Sequence, residues 1–506
     1  MSEGVGRWVI PNSWQWIRAE EIADVTGGGT PSTRDSSNFK SSGDGIPWLT
    51  PADLSKYDAT YIERGSRDIS EKGLTSSSAK LMPKGTVLFT SRAPIGYCVI
   101  AVNEISTNQG FKSLSLYQNI SPELIRFYLL TSKIYAESFA SGSTFKELSG
   151  KKVAQLKIPL PPLNEQKRIV TKIEALQTRS TAVKEELEAI KPLLNQFRQS
   201  VLASAFRGDL TKDWRSQNPD VEPASKLIAS LQTPDPEHHL DIFEQSCYCK
   251  LPKSWTWVQL GKLGALLGGG TPSKRNPGFW SGHIPWISAK DMKIDRIEDS
   301  IDHITEEAIS KSSAKIIPKS SILFVVRGMI LNHTLPIAIT DNVVTINQDM
   351  KALVPEIAGM SEYLLFACKF VSKQILFKVK SATHGTRRLE TATLKDWAIP
   401  IPPISEQKEI VRRIESLFKL ADNIEQQYQQ AEIDLETLNQ SILAKAFRGE
   451  LVPQDPNDEP ASVLLERIKE ERDKAKATAK KSKTKKRSSK KNSSKKKDEQ
   501  LGIPGM

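Results

Sequence analysis

Two stretches of the chain place apolar residues at the alternating four-and-three spacing of a coiled-coil seam. In the first they are Ile169, Ile173, Leu176, Ser180, Val183, Leu187, Ile190, Leu194, Phe197 and Val201, with Ser180 the one polar member. In the second they are Ile410, Ile414, Leu417, Ala421, Ile424, Tyr428, Ala431, Leu435, Leu438 and Ile442. Each seam runs for about 33 residues, roughly 48 Å of helix. Both helices are predicted to start after Pro-Pro, with Asn164 and Ser405 as N-caps and Glu165 and Glu406 in the first turn. Both are predicted to stop at Phe-Arg-Gly, with Gly208 and Gly449 just past the last turn. Pro192, inside the first helix, is expected to kink or break it. Two such seams in one chain are expected to bury against each other. Heptads alone do not choose parallel or antiparallel pairing; an antiparallel pair would carry the globular parts at opposite ends of a rod. The alternative is that each stripe covers its own globule.

The segments preceding these helices, roughly 8–160 and 252–401, have a different texture. Alternating WQW and WTW, the runs VLFT and ILFVV, and many Gly, Pro and Ser turn signals predict short strands. A helical pattern at 122–139 makes each segment mixed α and β. At about 150 residues, each can bury a core of ordinary domain size. The two segments are copies. PNSWQW at 11–16 returns as PKSWTW at 252–257, GGGTPS at 27–32 returns at 268–273, and IPW at 46–48 returns at 284–286. SAKLMPKGTVLF (78–89) matches SAKIIPKSSILF (313–324), and TNQGFKSL (107–114) matches INQDMKAL (346–353). IPLPPLNEQKRIV (158–170) matches IPIPPISEQKEIV (399–411), and SVLASAFRGDL (200–210) matches SILAKAFRGEL (441–451). The expected organisation is a domain at 1–162, a helix at 163–208, a connector at 209–250, a second domain at 251–403, a helix at 404–449, a C-terminal helix at 450–473 and a disordered Lys-rich tail at 474–506.

Composition narrows the class. Apolar residues make up 38% and charged residues 26% of the chain, as expected for a soluble protein with real cores. No apolar run approaches the ~18 residues of a membrane span, and MSEGVGRWVI lacks the pattern of a secretory signal. Four cysteines give no disulfide framework, so a cytoplasmic location is expected. The net charge of +12 is local: residues 474–497 hold 13 Lys or Arg and no acid, leaving −1 elsewhere. Such a tail is either simply solvated or loosely attracted to nucleic-acid phosphate; it cannot supply sequence specificity.

The usual catalytic signatures are missing. There is no G-x-x-x-x-G-K-[ST] loop, no H-E-x-x-H, and no Asn-Pro-Pro-aromatic or Asp-Pro-Pro-aromatic run. Gly27–Gly29 and Gly268–Gly270 are followed by Thr-Pro-Ser and no helix, so they read as turns rather than dinucleotide loops. Glu165-Gln166-Lys167 and Glu406-Gln407-Lys408 carry the E-x-K spacing of metal-dependent nucleases. The additional Asp such a site requires is available as Asp396 in copy two but is Gln155 in copy one. Helix-start chemistry accounts for Glu-Gln equally well. His238, His239, Cys247 and Cys249 lie together in the connector, at a spacing unlike that of structural zinc sites. No catalytic or metal-binding residue is assigned.

The repeated polar positions are more informative. Arg92 and Arg327 each follow an apolar run, Asn108-Gln109 and Asn347-Gln348 sit at strand edges, and cations follow at 141–146 and 382–388. Arg reads guanine and Asn or Gln reads adenine through paired hydrogen bonds, while Ser, Thr and Lys position phosphates. The competing reading is structural, with the amides satisfying local backbone and the Arg pairing with a carboxylate.

The two-copy plan, the IPLPPLNEQ and IPIPPISEQ junctions, the long helices, and AFRGDL and AFRGEL together resemble the specificity (S) subunit of type I restriction–modification enzymes. SILAKAFRGEL followed by PASVLLERIKEER and a basic tail looks most like the type IA group. The resemblance covers essentially the whole chain. It implies an α+β fold: two mixed α/β target-recognition domains separated by two long antiparallel coiled-coil helices, as a pseudo-two-fold internal repeat. Each domain would read half of a bipartite site in double-stranded DNA. The helices would set the spacer and dock two methyltransferase subunits, which bind S-adenosylmethionine and methylate adenine N6. Two restriction subunits using ATP and Mg would cut unmodified DNA, and this chain itself would be non-catalytic and bind no cofactor. The recognition surface then falls on Arg92, Asn108, Gln109, Thr144 and Lys146, and on Arg327, Asn347, Gln348, Thr386 and Arg387. The spacer seam falls on Ile173, Leu176, Leu187 and Leu194 with Ile414, Leu417, Leu435 and Leu438. Unlike loops between shared blocks imply unlike half-sites. Two other classes stay open: a stand-alone two-headed DNA-binding protein, and a coiled-coil scaffold with protein-binding globules.

Overall fold

A computed structural model describes residues 8–92, 94–141, 146–229, 231, 250–381 and 387–474. The compact units do not follow the tandem order of the repeat. One is Met1–Glu186 with Ala431–Met506, the other Leu187–Gln430. Each unit thus holds one globular domain, half of the helix that follows it, and half of the other helix.

The alternation at WQW and WTW makes the first strand of each domain, Gln15–Arg18 or Thr256–Gln259. It pairs antiparallel with the last strand before the long helix, Lys157–Leu160 or Ala398–Ile401. Between them lie a five-stranded and a four-stranded sheet. In the first domain the larger sheet runs Ala23–Gly27, Lys112–Leu116, Val87–Phe89, Cys98–Ala101, Tyr61–Ile62; in the second, Gly264–Gly268, Met350–Pro355, Ile322–Val325, Ile337–Thr340, Arg296–Ile297. The predicted helix at 122–139 is interrupted, as Pro122–Thr131 and Lys133–Ser138, because buried Ser132 turns its hydroxyl back to the Tyr128 carbonyl (2.8 Å). The second domain keeps one helix there, Ser361–Leu376.

The long helices span Leu163–Arg207 and Ile404–Phe447. Their caps lie two residues earlier than predicted. The carbonyls of Pro162 and Pro403 accept the N–H groups of Gln166 and Gln407 (2.9 Å each), which makes the prolines the caps and puts Asn164 and Ser405 inside the first turn. Proline is tolerated at this place because the first N–H groups of a helix have no intrahelical partner. At the other end Gly208 and Gly449 adopt φ of +84° and +76°. The N–H groups of Asp209 and Glu450 reach back to Ser204 and Lys445 (2.9 Å each), closing both helices with the predicted left-handed glycine.

Pro192 does not break the first helix, which is continuous through it. The proline is exposed, on the solvent side of the helix, where the loss of one backbone hydrogen bond is tolerated. Pro192→Ala is therefore expected to raise the thermal unfolding midpoint, by a stabilisation of up to about 3 kcal/mol. A lowered midpoint would mean that the proline ring itself is needed for packing.

Within each unit the helix halves run antiparallel. The beginning of the first helix (Ile169, Ile173) and the end of the second (Ile442, Ala446, Phe447) share the first domain's core. The end of the first (Val201, Leu202, Ala205, Phe206) and the beginning of the second (Ile410, Ile414) share the second domain's. Leu194 and Ala421 are buried, Leu176, Leu187, Leu417 and Leu435 are half-buried, and Leu438 is 53% exposed. The expectation for Leu438 is corrected: Asn439, one position round the helix, faces the partner and accepts the Ser180 hydroxyl (2.7 Å). The seam there runs 435, 439, 442, so the polar Ser180 of one helix has a polar partner on the other. Arg198 bridges Asp422 (2.7 Å) and Glu425 (2.8 Å) farther along.

The segments after the helices complete the cores. Glu-Pro-Ala-Ser at 222–225 recurs at 459–462, a repeat overlooked in the sequence. The N–H groups of Ala224 and Ala461 donate to Ser254 and Ser13 (3.0 Å each), and both alanines are fully buried. Leu464 and Ile468, in the helix at 461–474, extend the first domain's core.

Candidate nucleic-acid interface

In each domain the glycine triplet prolongs an outer strand of the larger sheet and lies against the Asn-Gln turn. The N–H groups of Gly29 and Gly270 donate to Thr107 (2.8 Å) and Ile346 (2.9 Å). Their carbonyls accept the indole N–H of Trp48 (3.0 Å) and Trp286 (2.9 Å), the tryptophans of the two IPW blocks. A Cβ on Gly28 would fall 2.0 Å from the Asn108 carbonyl, and one on Gly269 2.0 Å from that of Ile346. The second and third residues of the triplet are glycine because backbones touch there, which refines its reading as a plain turn.

This close approach places Thr30 and Thr271 against the turns, where their hydroxyls donate to Oε1 of exposed Gln109 and Gln348. The neighbouring asparagines do something else. Oδ1 of Asn108 accepts the Gly110 N–H (2.9 Å) and Oδ1 of Asn347 that of Asp349 (3.1 Å), bracing the turns from inside; Asn347 is 9% exposed. For the asparagines the structural reading is the one the hydrogen bonds favour.

Arg92 and Arg327 follow residues held in the same way in both copies. The N–H of Ser91 donates to Gly110 (2.8 Å) and its carbonyl accepts Leu148 (2.9 Å). The N–H of Val326 donates to Asp349 (2.8 Å) and its carbonyl accepts Leu389 (2.8 Å). Each arginine thus emerges between the turn and the segment that carries Lys146 or Arg387. Arg92 pairs with Glu147 at 2.9 Å and Arg327 with Asp349 at 3.6 Å, all partly exposed. Where the first domain has Glu147 the second has Arg388, and its carboxylate comes from the turn instead. Lys146 is exposed, and Arg387 donates through Nε to Asn332 (2.7 Å). Thr144 and Thr386 lie outside the described residues. Exposed ion pairs contribute about 0–1 kcal/mol, whereas a bidentate contact to guanine discriminates by about 1–3 kcal/mol. Exchanging carboxylate for base is therefore energetically open to either arginine.

Two functional candidates were missed. Lys112 and Lys351 occupy matching places in TNQGFKSL and INQDMKAL, and that repeat was the signal that could have found them.

The E-x-K positions have a structural use. The buried Glu165 carboxylate accepts the Trp14 indole (2.9 Å) and the Gln454 amide. Burial pushes its carboxyl above the usual range, and these hydrogen bonds pull it back. Glu406 accepts Trp255 (2.9 Å), Thr211 (2.7 Å) and Arg215 (2.5 Å). Among the described residues no cluster of His, Cys, Asp and Glu is suited to a metal, and no helix is long and apolar enough to cross a membrane. His238, His239, Cys247 and Cys249 are outside the described residues.

Comparison with known proteins agrees with this two-copy geometry. The family model described as type I restriction modification DNA specificity domain matches twice, at 11–191 and 252–433. The MjaIX specificity subunit of Methanocaldococcus jannaschii is 28% identical over 446 residues, 87% of this chain and 94% of its own. The EcoBI specificity subunit of Escherichia coli is 28% identical over 498 residues, 92% and 93% of the two chains. Two solved structures share the fold at 20% identity, each covering 88% of this chain. One, from work on assembly and conformational transition of the type I R-M system, is covered in full with a TM-score of 0.64. The other, the HsdS subunit from Thermoanaerobacter tengcongensis, is covered over 99% with a TM-score of 0.55. With both copies matched and relatives aligned across nearly their whole length, the chain belongs to the DNA specificity subunits of type I restriction–modification systems.

Proposed function

We propose that the domains at 1–162 and 251–403 each read one half of a bipartite site in double-stranded DNA. The helices at 163–208 and 404–449 set the spacer and dock two methyltransferase subunits. This chain performs no chemistry: S-adenosylmethionine acts in the methyltransferase, which modifies adenine N6, and ATP and Mg act in two restriction subunits that cut unmodified DNA. The observation that carries the reading is the matched cluster in the two domains, a strand-end arginine beside a glutamine turn, with different ion partners in each. Shared architecture with unlike charge suits two half-sites of different sequence. Exposed Leu193, Leu420, Ile433 and Leu438 give the helices apolar surface for the methyltransferase subunits. The subgroup that SILAKAFRGEL and the basic tail resemble is type IA, and the working place is the cytoplasm.

The test is a long-read methylation map of host DNA with this gene intact and deleted. Loss of N6-methyladenine at one split motif is the expected result; an unchanged map in a host expressing the methyltransferase would overturn the reading. Once the motif is known, Arg92→Ala and Arg327→Ala are expected to weaken discrimination at one half-site each, by about 1–3 kcal/mol. Uniform weakening on all sequences in a binding titration would reassign that arginine to a phosphate.

A further inference from the structure

Building on the DNA-reading function proposed above, we infer that Lys112 and Lys351 are the phosphate anchors of the two half-sites, holding the DNA backbone in register while Arg92, Arg327 and the unshared loops read bases. Lys112 stands opposite Gly27 in the antiparallel pair of strands, and Lys351 stands opposite Gly268. Each therefore faces the first glycine of a triplet, the one not required by contact with the turn. A Cβ on Gly27 would lie 3.6 Å from Lys112 Cδ, and one on Gly268 2.8 Å from Lys351 Nζ. Each lysine thus runs across the strand over a position without a side chain.

The electrostatics distinguish these lysines from the arginines beside them. Arg92 and Arg327 have carboxylate partners, whereas neither Lys112 nor Lys351 forms an ion pair with a described carboxylate. Lys112 instead donates to the carbonyls of Gln109 (3.2 Å) and Phe111 (3.3 Å), which hold the ammonium without neutralising it and leave it a further proton to donate. Both lysines are half-buried. Burial lowers the Lys112 pKa and nearby Glu147 opposes the shift. A partly desolvated cation with no carboxylate in direct contact gains more from an arriving anion than a solvated one does.

The identity of that anion follows from the repeat. A side chain that keeps its place in both domains and, unlike Arg92 and Arg327, has no paired carboxylate to exchange for a base is placed to meet something common to both half-sites. In duplex DNA that is the phosphate backbone, since base edges differ between unlike halves. Lysine suits the task as a point charge, whereas paired recognition of guanine calls for the fork of arginine.

The experiment uses the full chain assembled with its methyltransferase subunits, and duplexes carrying the mapped motif, the motif with one half scrambled, or neither half. Binding is titrated between about 50 and 200 mM salt for wild type, Lys112→Gln, Lys351→Gln and Lys112→Arg. Each glutamine variant is expected to lower affinity on all duplexes and reduce the slope of log K against log salt by about 1, leaving the ratio between duplexes unchanged. Lys112→Arg is expected to keep the wild-type slope. An unchanged slope in variants with a wild-type unfolding midpoint, or a loss confined to one half-site sequence, overturns the anchor role. Failure of the DNA-reading function would look different: the wild-type complex would bind the three duplexes equally.

Discussion

Phe206→Ala is expected to destabilise residues 252–401 by about 3–5 kcal/mol, the cost of removing a fully buried aromatic side chain. Phe206 belongs to the first repeat by sequence, yet it packs edge-on against Tyr363 (5.4 Å between centroids) and stacks on Phe370 (5.2 Å), both in the second domain. Its counterpart Phe447, at the end of the second repeat, meets Tyr128 of the first domain at 5.2 Å. Hydrogen exchange read by mass spectrometry separates the possibilities. Loss of protection in 252–401 for Phe206→Ala, and in 8–160 for Phe447→Ala, is the expected crossed pattern. If each substitution instead loosened the domain of its own repeat, the antiparallel assignment of helix halves would be wrong.

Glu406→Ala is expected to be as damaging, at about 3–5 kcal/mol, because it strands a charge. The carboxylate is 1% exposed and receives Trp255, Thr211 and Arg215, and Arg215 also lies over the Trp255 ring at 5.8 Å. Removing it leaves a mostly buried guanidinium without its anion and two donors without an acceptor. Glu165→Ala, at the matching place in the first copy, is expected to cost less, about 1–3 kcal/mol, since Trp14 and Gln454 are neutral. Denaturant titration of the two variants, followed by local exchange in each domain, measures the difference. Equal losses would mean that the Arg215 charge is compensated elsewhere. A double-mutant cycle with Arg215→Ala should then show no coupling.

The contrast between these glutamates shows where reading residues in order stops. Glu-Gln after Pro-Pro was legible as a helix start. Its bonds to the opening tryptophan and to the segment after the other helix were not, because partners about 150 to 290 residues away leave no local pattern. The recognition cluster divides in the same way. Arg92, Arg327, Gln109 and Gln348 could be picked out as repeated polar positions at strand edges. That Asn108 and Asn347 brace their turns, and that the glycine triplets are needed for backbone contact, depends on which strands meet. Lys112 and Lys351 were passed over because a single lysine in a β-like run looks like a solvated surface residue until the glycine across the sheet is known.

What the chain order determined was whatever geometry imposes over a few residues: the seam spacing, the glycines that stop both helices, the short strands between turn signals, and the duplication that repeats all of these. Tertiary structure alone decided the pairing. Apolar stripes are non-directional, since burial is favourable against any apolar partner, so four-and-three spacing permitted several partners and either direction. The choice came from shape and polarity at particular contacts: Phe206 between Tyr363 and Phe370, Phe447 on Tyr128, and Ser180 opposite Asn439. With Asn439 facing Ser180, the neighbouring Leu438 is turned out to solvent.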